Sequence, residues 1–401
     1  MFGCGEPTGP DAVGFLRSDA TRRDQRHANH RLTRLDVLAG PRLEQLLELR
    51  AAGVLGIAAV LAPVLGALGL GMVPRGEPGH GREHSVPSMP ETVRLGVFDS
   101  DAPDVLQIDS GDSLVYPNTW SHFLNRMQPG VSIEDLARLR RENPGRGPHS
   151  IVGPVSVRGA EPGDMLAIHF LELEAMDWGA SFVNPADLGT GSLPGDFPRG
   201  QVRYLSIDRQ ARRAEFLPGI HVPIAPFQGT FGVAPAQGGV VSSVPPGQHA
   251  GNIDLRELTV GSTLYVPVWQ MGGKMFTGDS HATQGDGEVN NQALESAMRR
   301  VRIQVVLHKR PGWTWPFAET DSHWIAMATH PDLDVAFGQA VRNTLEFLQR
   351  KAGLSALDAY SLASIGVHFR VTQFVNQTRG VHAMIPKALF APDRLATMSI
   401  V

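Results

Sequence analysis

The chain has almost no cysteine, since Cys4 is the only one among 401 residues. One thiol cannot build a disulfide framework or a cysteine-ligated metal site. Cys4 also lies in an N-terminal arm outside the patterned part of the chain, which argues against a thiol nucleophile. Serine chemistry has little support, because the pair Ser242-Ser243 stands in VVSSVPPG without a Gly-x-Ser-x-Gly elbow. A metal ion or a carboxylate is left to activate an attacking group.

The chain also lacks an excess of positive charge. Its 36 Lys and Arg residues are balanced by 40 Asp and Glu, for a formal net charge of -4. No broad basic surface is implied, so we expect no nucleic-acid partner. Basic residues cluster locally at residues 22–23, 138–141 and 299–302, which we interpret as solvated faces. The 44 glycines and 30 prolines favour a turn-dense, β-rich architecture.

The first ninety residues differ from the rest in composition. Residues 1–50 are rich in arginine and poorly patterned, and we predict a disordered arm. Residues 51–73 are an uncharged apolar run, long enough to span a membrane. Residues 74–91 form a Pro/Gly linker to a catalytic domain at residues 92–401. Arginines precede the apolar run, which favours a signal or membrane anchor with the domain outside the cytoplasm.

Two alternatives to export stay open. The apolar run contains Pro63 and several glycines, and it would also suit a poor but buried soluble helix. An arm of fifty residues is abnormally long before a signal. If the true start lies downstream of Met1, the domain would be cytoplasmic.

The densest group of polar residues is residues 278–288, GDSHATQGDGE. Two glycines make a helix costly there, so an extended segment and a tight loop must present the polar groups. Alternate side chains of an extended chain share a face, and Asp279 and His281 would therefore point the same way, as a pair of cation ligands needs. The glycine turn would return Glu288 toward that pair.

The flanking segments predict where this loop lies. Residues 262–269 are rich in β-branched and aromatic residues and predict a strand. Residues 290–300, NNQALESAMRR, contain no glycine or proline and predict a helix, with Glu295 and Arg299 at i,i+4. Glu288 would then lie near a helix N-terminus, where the macrodipole favours a carboxylate. The alternative is an acidic, solvated turn with a helix-capping glutamate.

A pattern of strand, glycine turn and returning strand occurs three times, at residues 105–114, 155–166 and 253–264. It predicts three hairpins, although turns of this composition are common without duplication. Apolar residues from Leu333 follow helical spacing up to Gly353, and Ser355 begins a second helix. We therefore predict an α+β fold of mainly antiparallel β structure, a sandwich-like or barrel-like core with hairpins, plus a C-terminal helical layer.

Several segments together carry a resemblance to one family. GDSHATQGDGEV, from Gly278, and GNIDLRELTVGSTLYVPV, from Gly251, resemble the signature of the acetamidase/formamidase family, whose members hydrolyse short aliphatic amides to the acid and ammonia. Further segments agree in order: GPV and GAEPGD within residues 153–164, PFQG and GVAP within 226–235, and VTQFVN, GVHAM and PK within 371–387. The resemblance covers about residues 92 to 392. The first ninety residues depart from the family.

For the mechanism we predict a divalent ion, zinc first and calcium as an alternative. Asp279 and His281 are the leading ligands and Asp254 a third, because carboxylate and imidazole donors suit zinc. Such an ion brings the pKa of bound water to about 7. Glu288 would take the water proton and pass it to the departing amine, and Gln284 would position the amide. The motif does not fix which acid binds metal and which moves protons.

Two further histidines are candidate substrate-binding residues. His149 stands just before Gly153-Pro154, where the family often carries a histidine, and His382 in GVHAM would line the pocket. An isolated histidine is more commonly a satisfied core or turn residue. Five others carry no assignment: His122, His249, His308, His323 and His330.

The expected partner is a small amide substrate, and we expect a homo-oligomer with membrane association only through residues 51–73. Two other functions stay open. One is an exported, non-catalytic module that binds a small ligand with the same fold. The other is hydrolysis of a larger or cyclic amide.

Overall fold

The computed structural model describes residues 81–401. The predicted arm at residues 1–50, the apolar segment at residues 51–73 and the first part of the linker lie outside the described residues. Within the described part, no helix is both long and apolar enough to cross a membrane.

The first sheet has nine strands, numbered here in chain order. Across the sheet they are β1 (Glu83–Ser85), β5 (Ser113–Tyr116), β18 (Met298–His308), β7 (Met165–Ala175), β15 (Thr263–Pro267), β19 (Phe317–Glu319), β20 (His323–His330), β22 (Arg379–Pro386) and β21 (His368–Gln373). Neighbours are antiparallel except β1 and β5, which are parallel. Because β1 lies inside the predicted linker, the folded domain extends N-terminal to residue 92.

The second sheet has eleven strands. Along its main path they are β11 (Ile220–Pro223), β10 (Arg213–Leu217), β9 (Gln201–Asp208), β8 (Trp178–Val183), β17 (Leu294–Glu295), β16 (Met275–Thr283), β12 (Phe227–Val233) and β14 (Ala250–Asn252). β6 (Ser150–Val157) also pairs with β16, and β2 (Val93–Leu95) and β4 (Leu106–Ile108) pair with β6. A separate two-stranded sheet joins β3 (Val97–Asp99) and β13 (Val240–Ser242).

The two large sheets bury a shared apolar core. Phe170 of β7 and Phe231 of β12 are fully buried, and their ring centroids lie 5.8 Å apart in an edge-to-face contact. Burying two phenylalanines contributes about 3–6 kcal/mol of hydrophobic free energy. Consecutive antiparallel pairs such as β8–β9 and β21–β22 supply hairpins. The predicted α+β class, dominated by antiparallel sheet, is confirmed.

Three C-terminal helices cover the other face of the first sheet, as predicted, whereas an earlier helix, α1 (Ile133–Glu142), packs on β8 and β9 of the second sheet. The C-terminal helices are α2 (Leu333–Ala352), α3 (Ala356–Gly366) and α4 (Pro392–Leu395), and single 3-10 turns lie at Ala186–Leu188, Pro194–Asp196 and Lys387–Leu389. Phe347 of α2 packs on Trp324 of β20, with ring centroids 5.2 Å apart. α2 ends at Gly353, whose φ is +63°, and the Ser355 hydroxyl accepts the Asp358 amide at 3.1 Å to cap α3. Both predicted helices are confirmed.

The helix predicted over residues 290–300 is wrong. That segment contains β17 and the beginning of β18. β18 pairs with β7 from Met298 opposite Ala175 to His308 opposite Met165. The pairing buries Met298 and Val301 in the core. Burial in the sheet outweighs the modest helix propensity of the segment. Glu288 consequently does not precede a helix.

The three repeated segments are not hairpins. Each glycine turn carries the chain from the second sheet to the first, from β4 to β5, from β6 to β7 and from β14 to β15. Gly111, Gly163 and Gly261 stand at the same place in these turns with φ of +96°, +93° and +90°, a region that favours glycine. In each turn the next amide donates to the carbonyl three residues earlier. The repeat is therefore real, but it is a repeated crossing between sheets.

Candidate active site

A group of buried charged side chains lies at the middle of the second sheet. Strand β16 supplies Asp279 and His281, and β17 beside it supplies Glu295. The other members come from connections: His122 after β5, His149 directly before β6, Asp254 after β14, and Glu288 from the glycine loop. All seven side chains are buried. Charges taken out of water in this way must be paired or bind a cation.

The Asp279 carboxylate meets three imidazoles. Its Oδ1 lies 2.8 Å from Nε2 of His122 and 3.4 Å from Nε2 of His281. Its Oδ2 lies 3.7 Å from Nε2 of His149 and accepts the Thr230 hydroxyl at 3.3 Å. Burial alone would raise the pKa of Asp279, but His149, His281 and His122 outweigh it and hold that pKa well below its usual value. Asp279 is therefore ionised.

Glu295 lies on the far side of two of these imidazoles. Its Oε2 is 3.3 Å from Nε2 of both His122 and His281, and its Oε1 accepts the Ala293 amide at 2.9 Å. Burial disfavours the charged imidazoles, yet Glu295 and Asp279 outweigh it and raise the pKa of both. The cluster thus holds two cationic sites between two acids.

His149 behaves differently from the other two imidazoles. Burial lowers its pKa to about 4, although the Asp279 charge opposes this shift. Its Nδ1 lies 2.7 Å from the Ser243 hydroxyl. His149 is therefore neutral, with Nε2 directed toward Asp279, as an imidazole ligand must be.

Asp254 and Glu288 form a second acidic pair. The Asn376 side-chain amide donates to Asp254 Oδ2 at 3.0 Å and to Glu288 Oε2 at 3.1 Å, and Gln373 Nε2 donates to the same Asp254 oxygen at 2.9 Å. Burial, together with the charges of Glu295 and Asp279, raises the pKa of Glu288 to about 8. Burial and the Glu288 charge raise the pKa of Asp254 as well. In the absence of a cation the pair retains a proton at neutral pH.

The side chains fit a divalent ion. Two groups of three place ligand atoms within 4.8 Å of one another and share Asp279: one is Asp254, Asp279 and His281, and the other is His122, His149 and Asp279. Oδ1 of Asp254 is buried without a hydrogen-bond partner among residues 81–401, and Oε2 of Glu295 has only the two imidazoles at 3.3 Å as neighbours of opposite charge. Buried acceptors of this kind are normally satisfied, so their presence beside imidazole nitrogens favours a bound cation.

Gly229 of β12 allows two of these side chains to approach. A Cβ atom at this position would lie 2.4 Å from Cε1 of His281 and 2.8 Å from Oδ1 of Asp254. Both distances are far below van der Waals contact. Only glycine leaves room for His281 and Asp254 to face the same point.

A left-handed turn at His122–Asn125 presents His122 to the cluster. Phe123, Leu124 and Asn125 have φ of +57°, +55° and +65°. Such backbone costs of order 1–3 kcal/mol per residue and persists where the surroundings fix it, often at functional sites. Here the Phe123 amide donates to the Pro148 carbonyl at 2.7 Å.

The cluster forms the floor of a narrow cleft, partly open to solvent, whose water-accessible volume is about 30 Å³. Its walls include the apolar side chains of Phe123, Leu136 and Phe182 and the polar ones of Arg140 and Asn184. A narrow cleft with converging polar groups has room for water and for a very small polar ligand. The geometry is typical of enzymes that activate water.

The structure brings five of the predicted site residues to this cleft: Asp254, Asp279, His281, Glu288 and His149. Gln284 lies just behind it, where its Nε2 donates to the Asp254 carbonyl at 3.0 Å and fixes the neighbouring loop. His382 lies elsewhere. Its Nδ1 is 2.7 Å from the Thr372 hydroxyl, and its Nε2 faces Glu257 at 3.8 Å, beside Asp286.

Sequence reasoning missed His122, Glu295 and Asn376. Glu295 was hidden because its segment predicts a helix, and His122 lies in TWSHFLN, which contains no acidic residue and no second histidine. Asn376 had a usable signal, since it ends the VTQFVN segment that carries part of the family resemblance.

Comparison with known proteins agrees with the resemblance. The family model described as "Acetamidase/Formamidase family" matches residues 96–240 and 238–313. The chain therefore belongs to the acetamidase/formamidase family, a family of amide hydrolases.

Named relatives extend this result. A formamidase of Methylophilus methylotrophus is 28% identical over 286 residues, covering 53% of this chain and 70% of that protein. An acetamidase of Mycolicibacterium smegmatis is 26% identical over 199 residues, covering 35% of this chain and 49% of that one. The crystal structure of an acetamidase from Bacillus halodurans superposes with a TM-score of 0.69 at 27% identity, covering 77% of this chain and 98% of that one.

Proposed function

We propose that this domain hydrolyses short aliphatic amides, of formamide or acetamide type, to a carboxylate and ammonia. The observation that carries the proposal is that the buried Asp279 carboxylate lies close to three imidazoles, directly beside the Asp254–Glu288 pair. This cluster of side chains opens onto a small cleft. The family membership supports the same chemistry.

Asp254, Asp279 and His281 would hold a divalent ion, with zinc as the first choice and calcium as the alternative. When bound, such an ion supplies a Lewis acid that polarises the amide carbonyl and acidifies water. Asp279 and Asp254 would bind the ion through carboxylate oxygens, and His281 would bind it in its neutral form. Ion binding would therefore require His281 to lose the proton that Glu295 and Asp279 otherwise stabilise on it.

Glu288 acts as the general base. Its carboxylate accepts a proton from the attacking water as the water oxygen bonds to the amide carbon. It then returns the proton to the nitrogen as the C–N bond breaks, which releases ammonia. A general base works best when its pKa lies near the working pH. Burial raises the pKa of Glu288 to about 8, and a cation bound nearby would lower it. Asn376 holds the Glu288 carboxylate in place through a 3.1 Å hydrogen bond to its Oε2.

We also propose that the domain works outside the cytoplasm as a homo-oligomer. The apolar run at residues 51–73 supports export or anchoring. Leu357, Tyr360 and Ile365 of α3 are 63 to 85% exposed, and this apolar face supports contact with a second copy. Sequencing the mature N-terminus tests the first statement, and light scattering tests the second.

An amide panel tests the central proposal. The purified protein is assayed for ammonia release from formamide, acetamide and propionamide, before and after dialysis against a chelator. We expect turnover that is lost on dialysis and restored by zinc. Metal binding without any amide cleavage would instead support a ligand-binding module, and cleavage confined to lactams would support a cyclic substrate.

A further inference from the structure

Arg140 is a half-buried cation in the wall of the cleft, with no acidic partner among residues 81–401. Its single hydrogen bond within those residues runs from Nη1 to the Arg146 carbonyl at 2.8 Å. A guanidinium has five N–H donors, so most of its hydrogen-bonding capacity is open. Burial lowers its pKa, yet a guanidinium remains charged in proteins.

The neighbouring arginines of the same helix are paired. Arg138 contacts Asp135 at 2.7 Å, and Arg141 contacts Asp187 at 2.6 Å. Both lie on exposed surface, where such pairs contribute little. The more buried Arg140 lacks the carboxylate that its exposed neighbours have. Burying an unpaired cation costs free energy. The position of Arg140 in the cleft therefore requires an explanation other than pairing with a surface acid.

A second cation continues the same wall. Arg146 lines an adjoining recess that Arg140 and Val244 also border, and no acid pairs with Arg146 in the described part of the chain. The chain as a whole carries a net charge of -4. A local run of two unpaired arginines on an acidic protein attracts anions toward the cleft.

We propose that Arg140 forms a carboxylate subsite, so that the preferred substrate is a short amide that also carries a carboxylate, such as the half-amide of a dicarboxylic acid. This inference rests on the proposed amide hydrolysis and narrows its substrate class. The planar guanidinium binds a carboxylate through two parallel hydrogen bonds. The apolar side chains of Phe123, Leu136 and Phe182 in the same walls would cover the methylene groups between carboxylate and amide.

The test compares matched substrates. Succinamate and butanamide have the same chain length, and the ratio of their kcat/KM values is measured for the wild-type protein and for Arg140→Ala, Arg140→Lys and Arg141→Ala. We expect the wild-type protein to prefer succinamate at least tenfold. Arg140→Ala should abolish the preference, Arg140→Lys should retain part of it, and Arg141→Ala should leave it unchanged.

A binding measurement keeps the test separate from catalysis. Calorimetric titration with succinate should show binding to the wild-type protein and to Arg141→Ala, and at least tenfold weaker binding to Arg140→Ala. Turnover of neutral amides with no preference for succinamate overturns the carboxylate subsite alone. Succinate binding that survives Arg140→Ala overturns it as well. Absence of all amide turnover, with Arg140-dependent succinate binding intact, overturns the proposed reaction and leaves the subsite supported.

Discussion

Two regions of this domain hold acidic residues with little exposed surface, yet the residues of the two regions titrate in opposite directions. Asp254 and Glu288 in the cleft are 1 and 6% exposed, and Asp112 and Asp164 in the sheet-crossing turns are 4 and 1% exposed. The pKa values of the first pair are raised and those of the second pair are lowered. A small exposed area therefore does not by itself determine how a carboxylate titrates here, because the cleft acids lie deep in the domain and the turn acids lie near its surface.

The deeper burial of the cleft acids contributes to this difference in pKa, and the partners of the four acids contribute the rest. Asp164 accepts the Glu161 amide at 2.8 Å and the Lys309 ammonium at 2.6 Å, and Asp112 accepts the Arg82 amide at 2.8 Å and lies 2.9 Å from His84. Asp254 and Glu288 share neutral amide donors and face further acids. An acid whose surroundings favour its charge stabilises the fold, whereas an acid among other acids is available for proton transfer or for a cation.

The largest effect is expected for Glu288→Gln. The variant keeps the shape and the Asn376 contact but cannot accept a proton, so kcat should fall by about a hundredfold to ten-thousandfold. The wild-type kcat/KM should rise with pH as Glu288 loses its proton, because the base works only when ionised. The variant should lack that rise. Both are measured by ammonia release across pH 5–9.

Asp286→Asn is the matched control for Glu288→Gln, because Asp286 lies in the same loop but faces Arg370 at 3.8 Å. It should keep near-normal turnover. Metal content is measured on both variants. A Glu288→Gln protein that binds metal and turns over amide normally would remove the general-base role and erase the contrast between the two regions.

A smaller effect is expected for Asp164→Asn on stability. The folded-state pKa of Asp164 is lowered, so its contribution is fully present above the unfolded pKa of about 3.9 and is lost as pH falls through the folded value. The neutral variant loses the charge that pairs with Lys309, and its NH2 group must replace one of the two carboxylate oxygens that accept the Glu161 and Arg310 amides. It should be about 1–3 kcal/mol less stable at pH 7. Urea unfolding at pH 7, 4 and 3 measures the difference, which should shrink at the lowest pH.

The exposed acid Asp101 supplies the control for Asp164→Asn, since Asp101→Asn should change stability little at any pH. A difference for Asp164→Asn that is as large at pH 3 as at pH 7 would show that the effect is not electrostatic. The turn and cleft acids would then differ in packing rather than in charge.

Local sequence signals predicted the parts of the fold that local chemistry determines. The two C-terminal helices follow from their apolar spacing and from the caps at Ser355 and Gly353. Residues 290–300 could not be assigned in the same way, because their helix propensity is weak and the pairing of β18 with β7, more than a hundred residues away, overrides it. The repeated turns were visible, but sheet membership is a long-range property that turn chemistry does not encode.

The candidate site likewise contains residues that local sequence predicted and residues that it did not. Asp279, His281 and Glu288 lie within one loop and strand, so their meeting could be predicted, and Asp254 was reached through the neighbouring signature segment. His122 and Glu295 meet them only because β17 pairs beside β16 and a left-handed turn follows β5. Their side chains have no local pattern of their own. The spacing of residues along the sequence does not predict which isolated residues the topology brings together.

The smallest effect is expected for Ser262→Ala, which compares the third sheet-crossing turn with the two turns that contain an aspartate. Ser262 occupies the place of Asp112 and Asp164 in the third turn, and its hydroxyl donates to the Thr259 carbonyl at 2.7 Å. Ser262→Ala should cost about 1 kcal/mol, the typical value of one hydrogen bond. Because serine does not titrate, urea unfolding should show the same loss at pH 7 and pH 3. A loss that disappears at low pH would mean that another group produces the pH dependence assigned to the turn acids, since the serine turn shares their geometry but not their charge.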